Sequence, residues 1–143
     1  MPQSAYRILL VEDSDDYALI ITRGIHRDRD FQLVWRAKDG VEAIKYLGGM
    51  SECADRERFP APDIMLLDMQ LPRKDGWEVL DWLKDQTNKP LVVVLTVLDN
   101  TAFHKKAIAL GADEFKEKPY VDEALKEFLA WLKEFAATRT QKT

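Results

Sequence analysis

Three acidic side chains fall where short apolar runs stop: Glu12 and Asp13 after Ile8-Leu9-Leu10-Val11, and Asp68 after Ile64-Met65-Leu66-Leu67. An apolar run of about four residues with polar flanks reads as a buried strand. If the two strands are parallel neighbours, all three carboxylates crowd one edge of a sheet. Two like charges about 4 Å apart repel by roughly 4 kcal/mol at an effective dielectric near 20, so such a cluster demands a cation. Carboxylate oxygens without histidine or cysteine company select a hard ion. Mg2+, held by one or two carboxylates, water and a substrate phosphate, is the natural candidate. The two histidines, His26 and His104, lie in helical stretches, match no zinc spacing and read as surface residues.

Two further apolar runs end in groups that suit the same edge. One ends at Thr96, a hydroxyl donor, and another is followed by Lys118-Pro119. Lys118 would bring an ammonium among the carboxylates, as a counter-charge at rest and a point-charge ligand for phosphate. Pro119 would set a sharp turn there, with a cis bond as one way to make it. Together these residues supply a nucleophile, a metal site, a donor and a cation, the set that phosphoryl transfer to a carboxylate requires.

Positioning that set requires strands that end together. Strands are predicted at Arg7–Val11, Gln32–Arg36, Ile64–Leu67, Leu91–Leu95 and Glu114–Lys116. Amphipathic stretches lie between them. Tyr17, Ile20, Ile21 and Gly24 recur at helical spacing in the first, and Asp39 with Glu42 opens the second in the manner of a capping box. Asp75 with Glu78 repeats that signal in the third. The fourth ends at Leu110 with Gly111 after it, and the fifth runs from about Asp122 to about Ala137. Strands alternating with helices imply βαβ units and a parallel sheet, with right-handed crossovers placing helices on both faces. Five units predict an α/β doubly wound (βα)5 three-layer sandwich in the strand order 2-1-3-4-5. Such sheets bind ligands beyond the carboxyl ends of their strands, at the switch point between the first and third. The stretch from Gly48 to Pro62, with its glycine pair, two prolines and charged run, reads as a surface insertion before the third strand.

A chain of 143 residues with 46% hydrophobic content is expected to form one domain, with a core of about residues 6–136 and a frayed polar tail at 138–143. A net charge of -4 disfavours nucleic-acid binding. No apolar run is long enough to span a membrane, and the first one is too short for a signal peptide. The lone Cys53 reads as a free thiol without a role. A cytoplasmic location is expected.

Leu10-Val11-Glu12-Asp13, Leu66-Leu67-Asp68-Met69-Gln70-Leu71-Pro72-Arg73-Lys74-Asp75-Gly76, Val94-Leu95-Thr96 and Gly111-Ala112-Asp113-Glu114-Phe115-Lys116-Glu117-Lys118-Pro119 occur in that order. In these motifs the chain resembles the response regulator receiver family, CheY-like and flavodoxin-like in fold, from about Tyr6 to Phe135. The segment before the third strand also resembles single-domain regulators paired with cyanobacterial phytochromes. The resemblance implies that Asp68 is the phosphoacceptor, taking a phosphoryl group from a phosphohistidine of a sensor kinase or phosphotransfer protein. It implies that Asp13, Glu12, Asp68 and the backbone carbonyl of Gln70 hold Mg2+. Thr96 and Lys118 would each bind a phosphoryl oxygen. Phe115 matches the aromatic switch position that moves with Thr96. On this basis the protein is a signalling phosphoacceptor and not an enzyme beyond its own phosphorylation and dephosphorylation.

Two positions depart from the family pattern or bear on its kinetics. The residue after the threonine is usually small, and Val97 would slow small phosphodonors. Leu98 offers no polar group to place an attacking water, so slow dephosphorylation is expected. The fifth helix carries two apolar lines, Leu125-Leu129-Leu132-Ala136 and Ala124-Phe128-Trp131-Phe135. One should pack on the sheet. The other would either face a protein partner or a second copy, through the fourth helix, fifth strand and fifth helix, or be covered by the chain itself. Trp77 and Trp82 should pack about the third helix. With no further motif after residue 143, output is expected through protein contacts and not DNA. Competing readings are a degenerate receiver that binds partners without phosphorylation, a haloacid dehalogenase-type phosphatase and a nucleotide or flavin module. The phosphatase would want a second acid where Gln70 stands. The nucleotide module would want a glycine-rich loop where Glu12-Asp13-Ser14-Asp15-Asp16 stands.

Overall fold

Strand parity divides the core into two layers. The computed structural model describes residues 5–69, 75–97 and 101–140. Its elements run β1 (Tyr6–Val11), α1 (Asp15–Arg27), β2 (Phe31–Ala37), α2 (Gly40–Leu47), β3 (Ile64–Asp68), α3 (Gly76–Leu83), β4 (Leu91–Thr96), α4 (Thr101–Ala109), β5 (Glu114–Glu117) and α5 (Asp122–Thr140). The strands form one parallel sheet in the order β2-β1-β3-β4-β5. Successive side chains of a strand face opposite ways. Ile8, Leu10, Ile64, Leu66, Val93 and Leu95 pack with the apolar stripes of α1 and α5. Leu9, Val11, Met65, Leu67, Val92 and Val94 pack with α2, α3 and α4. Both faces of the central strands are buried, which is why they read as unbroken apolar runs and not as alternating ones.

The helix starts are set by side chains that accept orphan backbone donors. Ser14 accepts from Tyr17 N, Asp39 from Glu42 N, and Asp75 from Glu78 N. Glu42 also reaches back across the cap. Its carboxylate accepts from the amide of Lys38, one residue before the cap. At the other end of α4, Gly111 N bonds Ile108 O and Ala112 N bonds Ala107 O. That Schellman closure needs the left-handed φ of +108° at Gly111. Helix α5 continues past the expected end at Ala137 to Thr140, so the first part of the supposed frayed tail is helical.

The segment from Gly48 to Pro62 is not a bare surface insertion. It contains a 3-10 turn at Ser51–Ala54 that buries Cys53 in the core. The Arg56 guanidinium donates to Leu47 O and Phe59 O, and Tyr46 Oη donates to Pro60 O at 2.7 Å. Trp35, Tyr46 and Phe59 pack ring against ring. Its polar composition misled because the backbone bonds are made by long side chains from within the segment and from α2. Cys53 is accordingly a packing residue.

On α5 the first apolar line is buried as expected, and Phe128 of the second is buried with it. Trp131 and Phe135 are half-buried and stack at 4.8 Å. Lys116 of β5 lies over Trp131 and Arg139 over Phe135, so the chain's own cations cover part of this line. Trp77 packs on Phe103 and carries Lys106 over its ring. Among the described residues, no helix is long and apolar enough to cross a membrane.

Candidate functional site

Strands β1 and β3 are paired in register from Ile8↔Ile64 to Val11↔Leu67, so they end level with one another. The residue after Val11 and the one after Leu67 are Glu12 and Asp68. By parity both continue the side of the sheet that faces α1. Both are buried, at 2% and 6% exposure, whereas Asp13 faces solvent. One carboxylate oxygen from each of Glu12, Asp13 and Asp68 lies within 4.8 Å of the others. The predicted cluster is therefore formed, with two buried members and one open to water.

Lys118 enters from the end of β5. Its Nζ lies 2.8 Å from Glu12 Oε1 and 3.4 Å from Asp68 Oδ2. Burial of an ion pair is favourable only when the remaining lone pairs are also satisfied. Glu12 meets that condition, because its Oε2 accepts from the amide of Ser14 at 3.1 Å. Burial pushes the Glu12 carboxyl above its ordinary value. The Lys118 hydrogen bond opposes the rise and the Asp68 charge adds to it. Burial acts downward on Lys118. The Glu12 hydrogen bond and the charges of Asp68 and Glu12 outweigh it, and the ammonium holds its proton above the ordinary lysine value. The pocket thus keeps a fixed positive charge between two carboxylates.

Thr96 is buried at the end of β4, and its carbonyl accepts from Lys118 N at 2.8 Å. The register Val94↔Phe115 and Thr96↔Glu117 places Phe115 on the adjacent strand, two positions below the level of Thr96. Phe115 packs in the α2–α4 layer. Its ring stacks on His104 at 4.9 Å and 12°. His104 is thus only partly a surface residue: its ring covers Phe115, and its Nε2 is 3.8 Å from a Glu114 carboxylate oxygen. Val97 follows Thr96 and is 52% exposed. Among the described residues no peptide bond is cis, so Pro119 makes its turn in the trans form, the default even for proline. Gln70 and Leu98 lie outside the described residues.

The start of α3 lies close against the end of β3. Gly76 N donates to Met69 O. A Cβ at Gly76 would stand 2.6 Å from Met69 Cα and 3.0 Å from Asp68 O. Only glycine lets α3 start this close to the strand end.

Three residues of the site were not singled out from sequence. Ser14 joins Glu12 to the first turn of α1. Arg36 of β2 donates from Nε to Glu12 O and from Nη1 to Asp15 Oδ1, which pins the acidic turn from the side. Tyr17 lies under the Lys118 ammonium, 4.7 Å from ring centroid to Nζ. The serine before an acid-rich helix start was a readable N-cap signal. The arginine and tyrosine carried no signal, because their partners are remote in sequence.

Comparison with known proteins agrees with this architecture. The sequence model of the response regulator receiver domain matches residues 8–130. A protein-glutamate methylesterase/protein-glutamine glutaminase of Methanospirillum hungatei is 35% identical over 115 residues, covering 79% of this chain and 31% of that protein. The transcriptional activator protein IrlR of Burkholderia pseudomallei is 32% identical over 114 residues, covering 80% of this chain and 44% of that protein. The chain therefore spans under half the length of these curated relatives. Among solved structures, the Mn2+-bound form of response regulator Rcp1 superposes with a TM-score of 0.75 at 29% identity, covering 91% of this chain and 93% of that one. The phosphorylated cyanobacterial phytochrome response regulator RcpA gives 0.80 at 28% identity, with coverage of 94% and 96%.

The chain belongs to the response regulator receiver family. It is a receiver domain of two-component signalling with the flavodoxin-like sheet order of that family.

Proposed function

We propose that this chain accepts a phosphoryl group on Asp68 from a phosphohistidine of a sensor kinase or phosphotransfer protein, and thereby switches a protein-interaction surface. The observation that carries this reading is the Lys118 ammonium held between Glu12 and Asp68 beside the open carboxylate of Asp13. An Asp68 carboxylate oxygen attacks phosphorus, the P–N bond breaks, and the imidazole leaves with the bonding pair, so an acyl phosphate replaces the carboxylate. The carboxylates of Glu12, Asp13 and Asp68 form an all-oxygen donor set that fits Mg2+, with the Gln70 carbonyl proposed as a further ligand. Bound there, Mg2+ would supply positive charge to the phosphoryl oxygens as they approach Asp68. Lys118 leaves Asp68 for a phosphoryl oxygen, and the Thr96 hydroxyl donates to another. We assign Phe115 to the reporting step, since it shares a face of the sheet with Thr96. Metal-bound and phosphorylated relatives of matching fold support the assignment.

For output we favour the half-buried line of Trp131 and Phe135 beside β5, offered to a protein partner or a second copy. With the histidine kinase as donor, a cytoplasmic setting follows. The test is labelling by a phosphohistidine donor, with and without Mg2+, for wild type and Asp68→Asn. Labelling of wild type alone, and only with metal, is expected. Label on Asp68→Asn would overturn the acceptor, and metal-independent label would overturn the carboxylate site.

A further inference from the structure

We propose that Tyr17 is a positioning residue for Lys118, its ring supporting the ammonium and its hydroxyl fixing the turn from which the lysine projects. The proposal rests on the reading that Lys118 pairs with the incoming phosphoryl group.

Tyr17 sits on the buried face of α1 with Ala18, Ile21 and Ile25. An aliphatic residue would fill that place in the core. The tyrosine does two additional things. Its Oη donates to Pro119 O at 3.1 Å, a buried bond that spans 102 residues of sequence. Its ring lies 4.7 Å from Lys118 Nζ, within the range of an attractive cation–π contact. The ring is itself held. Tyr17 N donates to Ser14 Oγ, Ser14 N donates to Glu12 Oε2, and Tyr120 packs against the ring at 5.0 Å. A closed circuit therefore runs from Glu12 through Ser14 and Tyr17 to Lys118 and back to Glu12.

Lys118 has two kinds of neighbour. Of its two carboxylate partners, Glu12 at 2.8 Å and Asp68 at 3.4 Å, Asp68 must be exchanged for a phosphoryl oxygen during transfer. The ring is a neighbour that the exchange leaves in place. Attraction to the face of a ring tolerates small rotations of the ammonium, which a hydrogen bond of fixed direction does not. Tyr17 thus joins Glu12 in keeping the cation in the pocket while Asp68 is exchanged. Burial pushes the Tyr17 hydroxyl well above the usual tyrosine range, so it remains a neutral donor to Pro119 throughout.

The test compares wild type, Tyr17→Phe, Tyr17→Leu and Lys118→Ala in phosphorylation by phosphoramidate. The phosphorylation rate at saturating Mg2+ and the Mg2+ concentration for half-maximal rate are read separately. Tyr17→Leu should slow the rate about tenfold, and Tyr17→Phe, which keeps the ring, should restore most of it. The Mg2+ half-saturation should move little, because the Tyr17 hydroxyl bonds Pro119 O and the ring faces the ammonium. A role in packing alone would move both quantities. The second readout is the proton NMR of the Lys118 ε-methylene. The ring should displace these signals upfield in wild type and Tyr17→Phe, and Tyr17→Leu should return them to the free-lysine position. Equal rates in wild type and Tyr17→Leu, with Lys118→Ala impaired, would overturn the positioning role. Lys118 signals indifferent to Tyr17→Leu would overturn the contact itself. A wild type that takes no phosphoryl group would instead overturn the functional reading, and the role built on it, while the NMR still judges the contact.

Discussion

The two edges of the sheet treat buried polar groups in opposite ways. At the amino edge, Tyr46, Arg56 and the 3-10 turn bury aromatic and sulfur atoms, and the Tyr46 hydroxyl and Arg56 guanidinium donate to backbone carbonyls. That edge is closed. At the carboxyl edge, Glu12, Asp68 and Lys118 are buried as charges, and Asp13 adds a third carboxylate from the solvent side. Among the described residues, one ammonium faces two buried anions there. The fold tolerates electrostatic cost at the edge where strands end level and a cation can enter, and not at the edge where the chain is merely stitched together.

Mutations can break this contrast. The largest loss is expected from Tyr46→Ala, which removes a fully buried ring and its bond to Pro60, at about 4 kcal/mol. Urea unfolding should show that loss, while the phosphorylation rate of the folded fraction stays unchanged. A changed rate would mean the two edges are coupled. Next, Lys118→Ala should destabilise the metal-free protein by about 3 kcal/mol, since it leaves buried carboxylates without their cation. Added Mg2+ should return part of that stability, and a variant insensitive to Mg2+ would count against a cation site. In the opposite direction, Asp13→Asn should stabilise the metal-free protein by about 1 kcal/mol after screening is allowed for, and weaken Mg2+ binding in calorimetry.

Smaller effects sharpen the same picture. Glu12 has a raised carboxyl in the folded state. Its contribution to stability is therefore present below its ordinary value of 4.5 and lost as pH rises through the raised value. Acidifying from neutrality toward the ordinary carboxylate range should cost metal-free wild type less stability than Glu12→Gln. At the closed edge the corresponding group is Tyr46, which burial lifts from 10.0 to about 12. Its contribution holds below pH 10.0 and fades only as the pH approaches 12, so neutral and acid conditions leave it untouched. The smallest effect is expected from Val97→Ala. Labelling by acetyl phosphate should quicken by a few-fold with stability changed by less than about 0.5 kcal/mol, and equal or slower labelling would sink the access argument for Val97.

Much of the carboxyl edge was legible in the chain. Apolar runs ending in Glu12, Asp13, Asp68 and Thr96 marked level strand ends, because a buried parallel strand must be apolar throughout and can turn polar only where it leaves the core. The caps at Asp39 and Asp75 were legible for a similarly local reason: the donors they satisfy lie three residues away. The amino edge was misread. Nothing in Glu52-Cys53-Ala54-Asp55-Arg56 says that the cysteine turns inward, since that depends on Arg56 reaching Leu47 and Phe59. His104 stands at the surface as expected, and only its stacking on Phe115 was not legible, because that ring lies on another element.

By itself, then, the sequence determined the βα alternation, the strand ends and the kinds of group that meet there, since these follow from local periodicity and residue chemistry. The tertiary structure alone decided which of those groups is buried and which is open, that Lys118 bonds Glu12 more closely than Asp68, and that Tyr17 stands beneath it. Those outcomes depend on register and on helix docking, which bring together residues as distant as Tyr17 and Pro119, and no local pattern encodes the distance between them.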